Sequence, residues 1–309
     1  MSARMYAYVA CVFVVVFYAG NILVGATLSE LPPFTVSFFR VTIAAVLLAP
    51  LGWRTAWEQR GVFRRHAGPL LLLAVTGVAF FNTFIYAALH FTSATNVSVL
   101  EAVIPVATAV LSAWLLRERL RWVQWAGVLV SLCGAVWVVR AGPSGGLSGW
   151  NLGDLIMVGA ILTWALYSIA VRRYLHLFPE YGALLVMSVL AALLLAPFVA
   201  AEWLSSGVPP ALGQGAVWAG LGYLGLFPAF IALLLYNRAV ATLGASQAAV
   251  FLNFLPVVTM LGAFVFLGED ITLGQVLGAV LVITGVLLTT RTARRRPRPV
   301  PRDIRAPGG

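Results

Sequence analysis

PVATAVLSAWLLRERLRWVQWAGVLVSLCG, residues 105–134, and PVVTMLGAFVFLGEDITLGQVLGAVLVITG, residues 256–285, decide the fold between them. An offset of 151 lays Pro105, Leu116, Glu118, Gln124, Gly127 and Gly134 on Pro256, Leu267, Glu269, Gln275, Gly278 and Gly285. One apolar match means little, but Pro, Glu and Gly matches at a constant offset are hard to obtain by chance. Nearer the N-terminus, an offset of 147 lays Ile22, Val24, Pro32 and Pro50 on Ile169, Val171, Pro179 and Pro197. The chain reads as a duplicated unit.

Composition says what kind of unit. The 309 residues are 61% hydrophobic and 10% charged, with a mean hydropathy of +0.96. Soluble chains carry roughly 25% charged residues, so a soluble domain, a collagen, a disulfide scaffold and a disordered chain are all excluded. An all-α polytopic membrane protein remains. Cys11 and Cys133 both lie in apolar runs, which leaves no disulfide framework or zinc cluster. No metal and no cofactor is expected.

A hydrocarbon core about 30 Å thick takes about 20 apolar residues. Ten runs meet this, at 5–27, 34–53, 68–89, 95–116, 122–140, 152–172, 180–200, 213–237, 245–267 and 273–290. The connections are too short for a soluble domain. The first run is too long for a signal-peptide core and has no A-x-A-like exit, so it is read as a retained helix.

Orientation follows from arginine, since all 20 basic residues are arginine. With the N-terminus inside, eighteen fall on the cytoplasmic side, Arg140 falls outside and Arg40 lies within a span. That is a strong positive-inside bias, with both termini cytoplasmic. Seven of the arginines crowd residues 291–309 beside one acid, Asp303. The Arg/Pro-rich tail is expected to be disordered and, lacking aromatic residues, is not read as a nucleic-acid site.

Five spans per unit is an odd number, so the second copy enters the membrane from the opposite side. Arg117, Arg119 and Arg121 of the first copy accordingly become Gly268, Asp270 and Thr272 in the second, while the acid between them stays. The expected domains are residues 1–147, a first five-helix repeat; 148–290, its inverted partner; and the 291–309 tail. Inverted-topology repeats are a transporter architecture, with substrate bound near the midplane between them.

Tyr236-Asn237-Arg238-Ala239, Pro256, Phe266-Leu267-Gly268-Glu269, Gly278 and Gly285, with their first-half counterparts Tyr86, Pro105, Leu116, Glu118, Gly127 and Gly134, resemble the EamA-type members of the drug/metabolite transporter superfamily. The resemblance runs to about residue 290. It implies a ten-helix, multi-pass carrier of the bacterial inner membrane that exports amino acids, other small metabolites or toxic compounds. Relatives that carry sugars and nucleotide sugars keep the substrate class open.

Charge inside a bilayer is costly, which singles out Arg40 and Glu101. Each lies six residues in from the outer end of its run, about 9 Å deep. Three readings stand: a structural ion pair, the two ends of a zwitterion's binding site, or a proton carried by Glu101. Position 187, equivalent to Arg40, is Met, so any site is asymmetric. Nine tryptophans fall near span ends as interfacial belts; Trp164 is mid-span, with Tyr167 one turn on. With Tyr86 these would suit a flat or apolar side chain. Asn21, Asn82 and Asn253 either bridge helices or contact substrate. His90, at an outer helix end, is a candidate that titrates near neutrality. Thr95-Asn96 and Ser246-Gln247 read as helix caps. Pro105, Pro256 and Pro228 break helices and are candidate hinges. The glycine pairs seven apart allow close packing within the chain or to a second copy.

These residues and the resemblance together favour a secondary transporter that exports amino acids, aromatic ones among them, or related small metabolites by alternating access. A sugar, nucleotide-sugar or drug carrier or antiporter of the same fold is the alternative. The expected partners are a small-molecule substrate and the bilayer, with proton coupling through Glu101 as one option and a monomer or homodimer as the assembly. No ATP-binding motif is present. His66, His90 and His176 lie near helix ends and no Asp lies mid-span, so an intramembrane enzyme is not expected.

Overall fold

In a computed structural model, the structure describes residues 3–115, 120–141, 151–243 and 251–291. The turn around Glu118, Trp150, the Ser246-Gln247 pair and the tail beyond 291 lie outside the described residues. Among those described there is no strand. The apolar helices among the described residues are, in chain order, α1 Ala3–Thr27, α2 Pro33–Glu58, α3 Ala67–Leu89, α4 Ala94–Leu115, α5 Trp122–Ala141, α6 Leu152–Leu177, α7 Glu180–Ser206, α8 Gly215–Val240, α9 Leu255–Leu267 and α10 Leu273–Thr290. Among the described residues nine are long and apolar enough to cross a membrane, and α9 is the short one.

Helices outrun the apolar stretches where polar side chains can support another turn. α2 continues past residue 53 to Glu58, where Arg54 Nε pairs with Glu58 Oε1 at 2.8 Å, an exposed i,i+4 contact that steadies a helix end. α7 runs on past 200 to Ser206 and stops at Gly207, whose φ of +79° suits a residue without Cβ.

Two long helix pairs frame the molecule, α2 along α7 and α5 along α10. The α5–α10 seam shows why glycine recurs every seven residues. A Cβ added to Gly127 would lie 2.7 Å from the Gly285 carbonyl oxygen, and one on Gly134 would lie 2.8 Å from that of Gly278. These glycines therefore pack within the chain. Two smaller bundles fill the frame: α6 packs on α3 and α4, while α1 packs on α8 and α9. Each draws one helix from the other end of the sequence.

Helix α4 is interrupted. Its first part, Ala94–Glu101, ends in a turn at 102–103, and helix resumes as Ile104–Leu115. A turn at 253–254 likewise precedes Leu255–Gly262 at the start of α9. Pro105 and Pro256 are each the second residue after the break, a position where proline's missing N–H costs the helix nothing. Pro228 differs from the expected break: α8 stays helical there and widens into a π turn over Phe227–Ile231. A π segment at Ala74–Phe80 widens α3 in the same manner.

Candidate functional site

The two bundles and the α2–α7 pair enclose a central cavity of about 270 Å³. Arg40, Glu101, Trp164, Tyr167, Asn21, Asn82 and Asn253 all line it, as do Pro105 and Pro228. Met187, the counterpart of Arg40, also lines it. Tyr86 and His90 lie outside the lining, and Pro256 adjoins it through Leu255.

The charged groups are not paired. Arg40 is 8% exposed, and its Nε has no hydrogen-bond partner. Glu101 Oε2 is likewise buried and unpartnered. Of the readings the sequence allows, a direct ion pair between Arg40 and Glu101 is not formed in this structure. Shared depth places residues at one level but does not fix their rotation about the helix axis. A buried charge without a partner costs several kcal/mol on the order of magnitude, a cost that a ligand of matching charge would relieve.

Aromatic rings form one wall. Trp164 packs on Phe81 at 4.2 Å and on Tyr167 at 5.0 Å between ring centroids. Gly77 makes room for Tyr167, since a Cβ there would collide with its ring. Polar tethers lie beside this wall: Tyr86 Oη donates to Asn21 Oδ1 at 2.9 Å, and Asn21 Nδ2 donates to Asn82 Oδ1 at 3.4 Å. Tyr86 therefore fixes the asparagines from behind. His90 is exposed at the end of α3.

Beyond the cavity one end of the molecule is fastened by carboxylates. Glu269 accepts from the Ala94 and Thr95 backbone N–H groups at 2.8 and 3.2 Å and from the Thr95 hydroxyl at 2.8 Å. Glu202 does the same for Phe34 and Thr35, at 3.1, 2.9 and 2.8 Å. Both satisfy orphan N–H groups where a helix begins and complement its positive end. The expected cap role of Thr95-Asn96 is corrected accordingly: Ser93 is the N-cap, accepting from Asn96 N–H at 3.1 Å. Asn96 instead bridges, donating to Thr92 at 3.2 Å and accepting from Gln275 at 3.0 Å. Thr92 donates in turn to Asp154 at 3.2 Å. Sequence reasoning missed Glu202, Asp154 and Tyr18, the last of which lines the cavity; the one available signal was the repeat-matched Glu269.

A family model, the EamA-like transporter family, matches residues 5–140 and 151–291. The chain belongs to the EamA-like transporter family. Among its EamA-like relatives, the uncharacterized transporter YyaM of Bacillus subtilis strain 168 is 28% identical over 284 residues, 89% of this chain and 92% of its own. A probable terminal-alkyne amino-acid exporter of Streptantibioticus cattleyicolor is 29% identical over 266 residues, 85% of each chain. A solved crystal structure with 22% identity covers 95% of this chain and 98% of its own at a TM-score of 0.62, a likeness of fold. The EamA-like protein is thus a polytopic membrane transporter, and the cavity is its candidate substrate site.

Proposed function

We propose that the chain is a secondary transporter that exports amino acids, aromatic ones included, or related small metabolites across the bacterial inner membrane by alternating access. In this reading ten spans form two inverted five-helix repeats with both termini cytoplasmic, and Pro105, Pro256 and Pro228 are its hinges. The observation that carries it is the cavity itself: one unpaired cation, one unpaired carboxylate oxygen and a wall of aromatic rings, the chemistry of an aromatic zwitterion. The matching breaks before Pro105 and Pro256 and the exchange of α1 and α6 between bundles support the repeat reading. The amino-acid exporter among the relatives supports the cargo.

The test is counterflow in proteoliposomes preloaded with aromatic amino acids, aliphatic amino acids, sugars or nucleotide sugars. Saturable exchange is expected in the amino-acid pools. Exchange in a sugar or nucleotide-sugar pool alone overturns the cargo assignment.

A further inference from the structure

Helix polarity adds something to this cavity that its side chains alone do not supply. α4 starts at the Glu269 end and α9 finishes there. The segment Ile104–Leu115 therefore begins at mid-depth and runs away from that end, while Leu255–Gly262 begins at mid-depth and runs towards it. Both amino-terminal ends open on the cavity, since Ile104, Pro105 and Leu255 are part of its wall. Each end carries about half a positive charge. Arg40, more than nine-tenths buried and with Nε unpartnered, faces the same space. Glu101, by contrast, sits at the carboxy-terminal, negative end of Ala94–Glu101.

We infer that Arg40 and the amino-terminal ends of Ile104–Leu115 and Leu255–Gly262 form a carboxylate subsite, and that a free carboxylate is the group every transported substrate must carry. With Glu101 ionised and the negative end of Ala94–Glu101 counted, the guanidinium and the two positive helix ends leave about half a net positive charge. That balance fits a monoanion such as a carboxylate better than a phosphate dianion. A planar guanidinium meets a planar carboxylate with two parallel hydrogen bonds, and helix amino-termini accept anions through the same polarity. An amine near Glu101 adds to binding but is secondary, because one negative helix end and one acid serve it.

The inference rests on the transport reading, and the experiment separates the two. Labelled phenylalanine exchange in proteoliposomes is challenged with 3-phenylpropionate, phenylalaninamide, 2-phenylethylamine and phenyl phosphate. 3-Phenylpropionate is expected to inhibit within about tenfold of phenylalanine, with the amide and the amine at least tenfold weaker than 3-phenylpropionate. Arg40→Gln is expected to erase the difference between acid and amide, and Arg40→Lys to restore part of it. Amide and amine inhibiting as well as phenylalanine overturn the subsite and leave the transporter reading intact. Phenyl phosphate inhibiting tenfold better than 3-phenylpropionate overturns the carboxylate in favour of phosphate. Exchange of monocarboxylates without any amino acid upholds the subsite and sinks the amino-acid reading; exchange of nothing overturns both. If Arg40→Gln does not fold, the competitor series on the unaltered protein decides alone.

Discussion

Thr95 and Glu269 stand 174 positions apart, yet the Glu269 carboxylate takes both the hydroxyl and the backbone N–H of Thr95. This contact joins α4 to the end of α9, one from each small bundle. Of the two parts of α4, Ala94–Glu101 is the one that packs on Leu255–Gly262, so α4 and α9 meet at the Glu269 end of the cavity.

Glu269→Gln removes the charge from three hydrogen bonds, each worth about 1.5–3 kcal/mol when charge-assisted. The expected result is freer opening at that end, read as at least tenfold faster maleimide labelling of a cysteine placed at Ala102, with Cys11 and Cys133 replaced. Unchanged labelling with a lowered melting temperature would make the contact a structural tie.

Glu202→Gln should behave differently. Its partner Thr35 begins α2, which lies along α7 for much of its length. The expected effect is a loss of about 1–3 kcal/mol of stability, seen as a lower unfolding temperature in detergent without faster labelling at Ala102. Trp203 shares the same hydroxyl, its Nε1 donating to Thr35 Oγ1 at 3.1 Å, so Trp203→Phe should show a smaller loss.

Gly285→Leu should not give folded protein. A Cβ there would lie 2.4 Å from Ser131 N and 2.6 Å from the Gly127 oxygen, and backbone cannot step aside as a flexible side chain can. Overpacking costs about 1–3 kcal/mol where a core can relax; here two helices must separate. Size-exclusion chromatography of the variant checks this, with Gly222→Leu, where nothing lies within 4 Å, as the tolerated control.

Trp164→Leu is expected to weaken exchange of aromatic amino acids about 3- to 10-fold and to leave aliphatic ones nearly unchanged. The tilted ring contacts with Phe81 and Tyr167 are of the kind worth about 0.5–1.5 kcal/mol. Equal loss for both pools would mean that the ring shapes the cavity without touching cargo.

Much of this architecture was legible because the bilayer imposes it. A span must be apolar over a set length, so most helices could be placed by counting, and an arginine or glutamate inside such a run announced itself. Arg40 and Glu101 do line one cavity. Tyr18 gave no such signal, being one more aromatic residue in a run rich in them. Glu202 fell beyond the apolar stretch that marked α7, and its partner Thr35 is 167 positions away, so no local pattern linked them. Depth follows from helical rise, but the direction a side chain faces follows from packing. That is why two charges at one depth need not touch. The cap at Ser93 rather than Thr95 turned on the place where helical dihedrals begin, which residue preference does not fix to within two positions.

The placement of α1 and α6 also governs how the protein can be made. α3 and α4 leave the ribosome before α6, which packs on both, and α1 waits for α8 and α9, which are synthesised more than 180 residues later. Neither half of the polypeptide holds all the helices of either small bundle. Each would reach the membrane as an incomplete assembly, exposed to quality-control proteases. Severing the chain between α5 and α6 should therefore leave two fragments that are degraded when made singly and recovered together when made in the same cell.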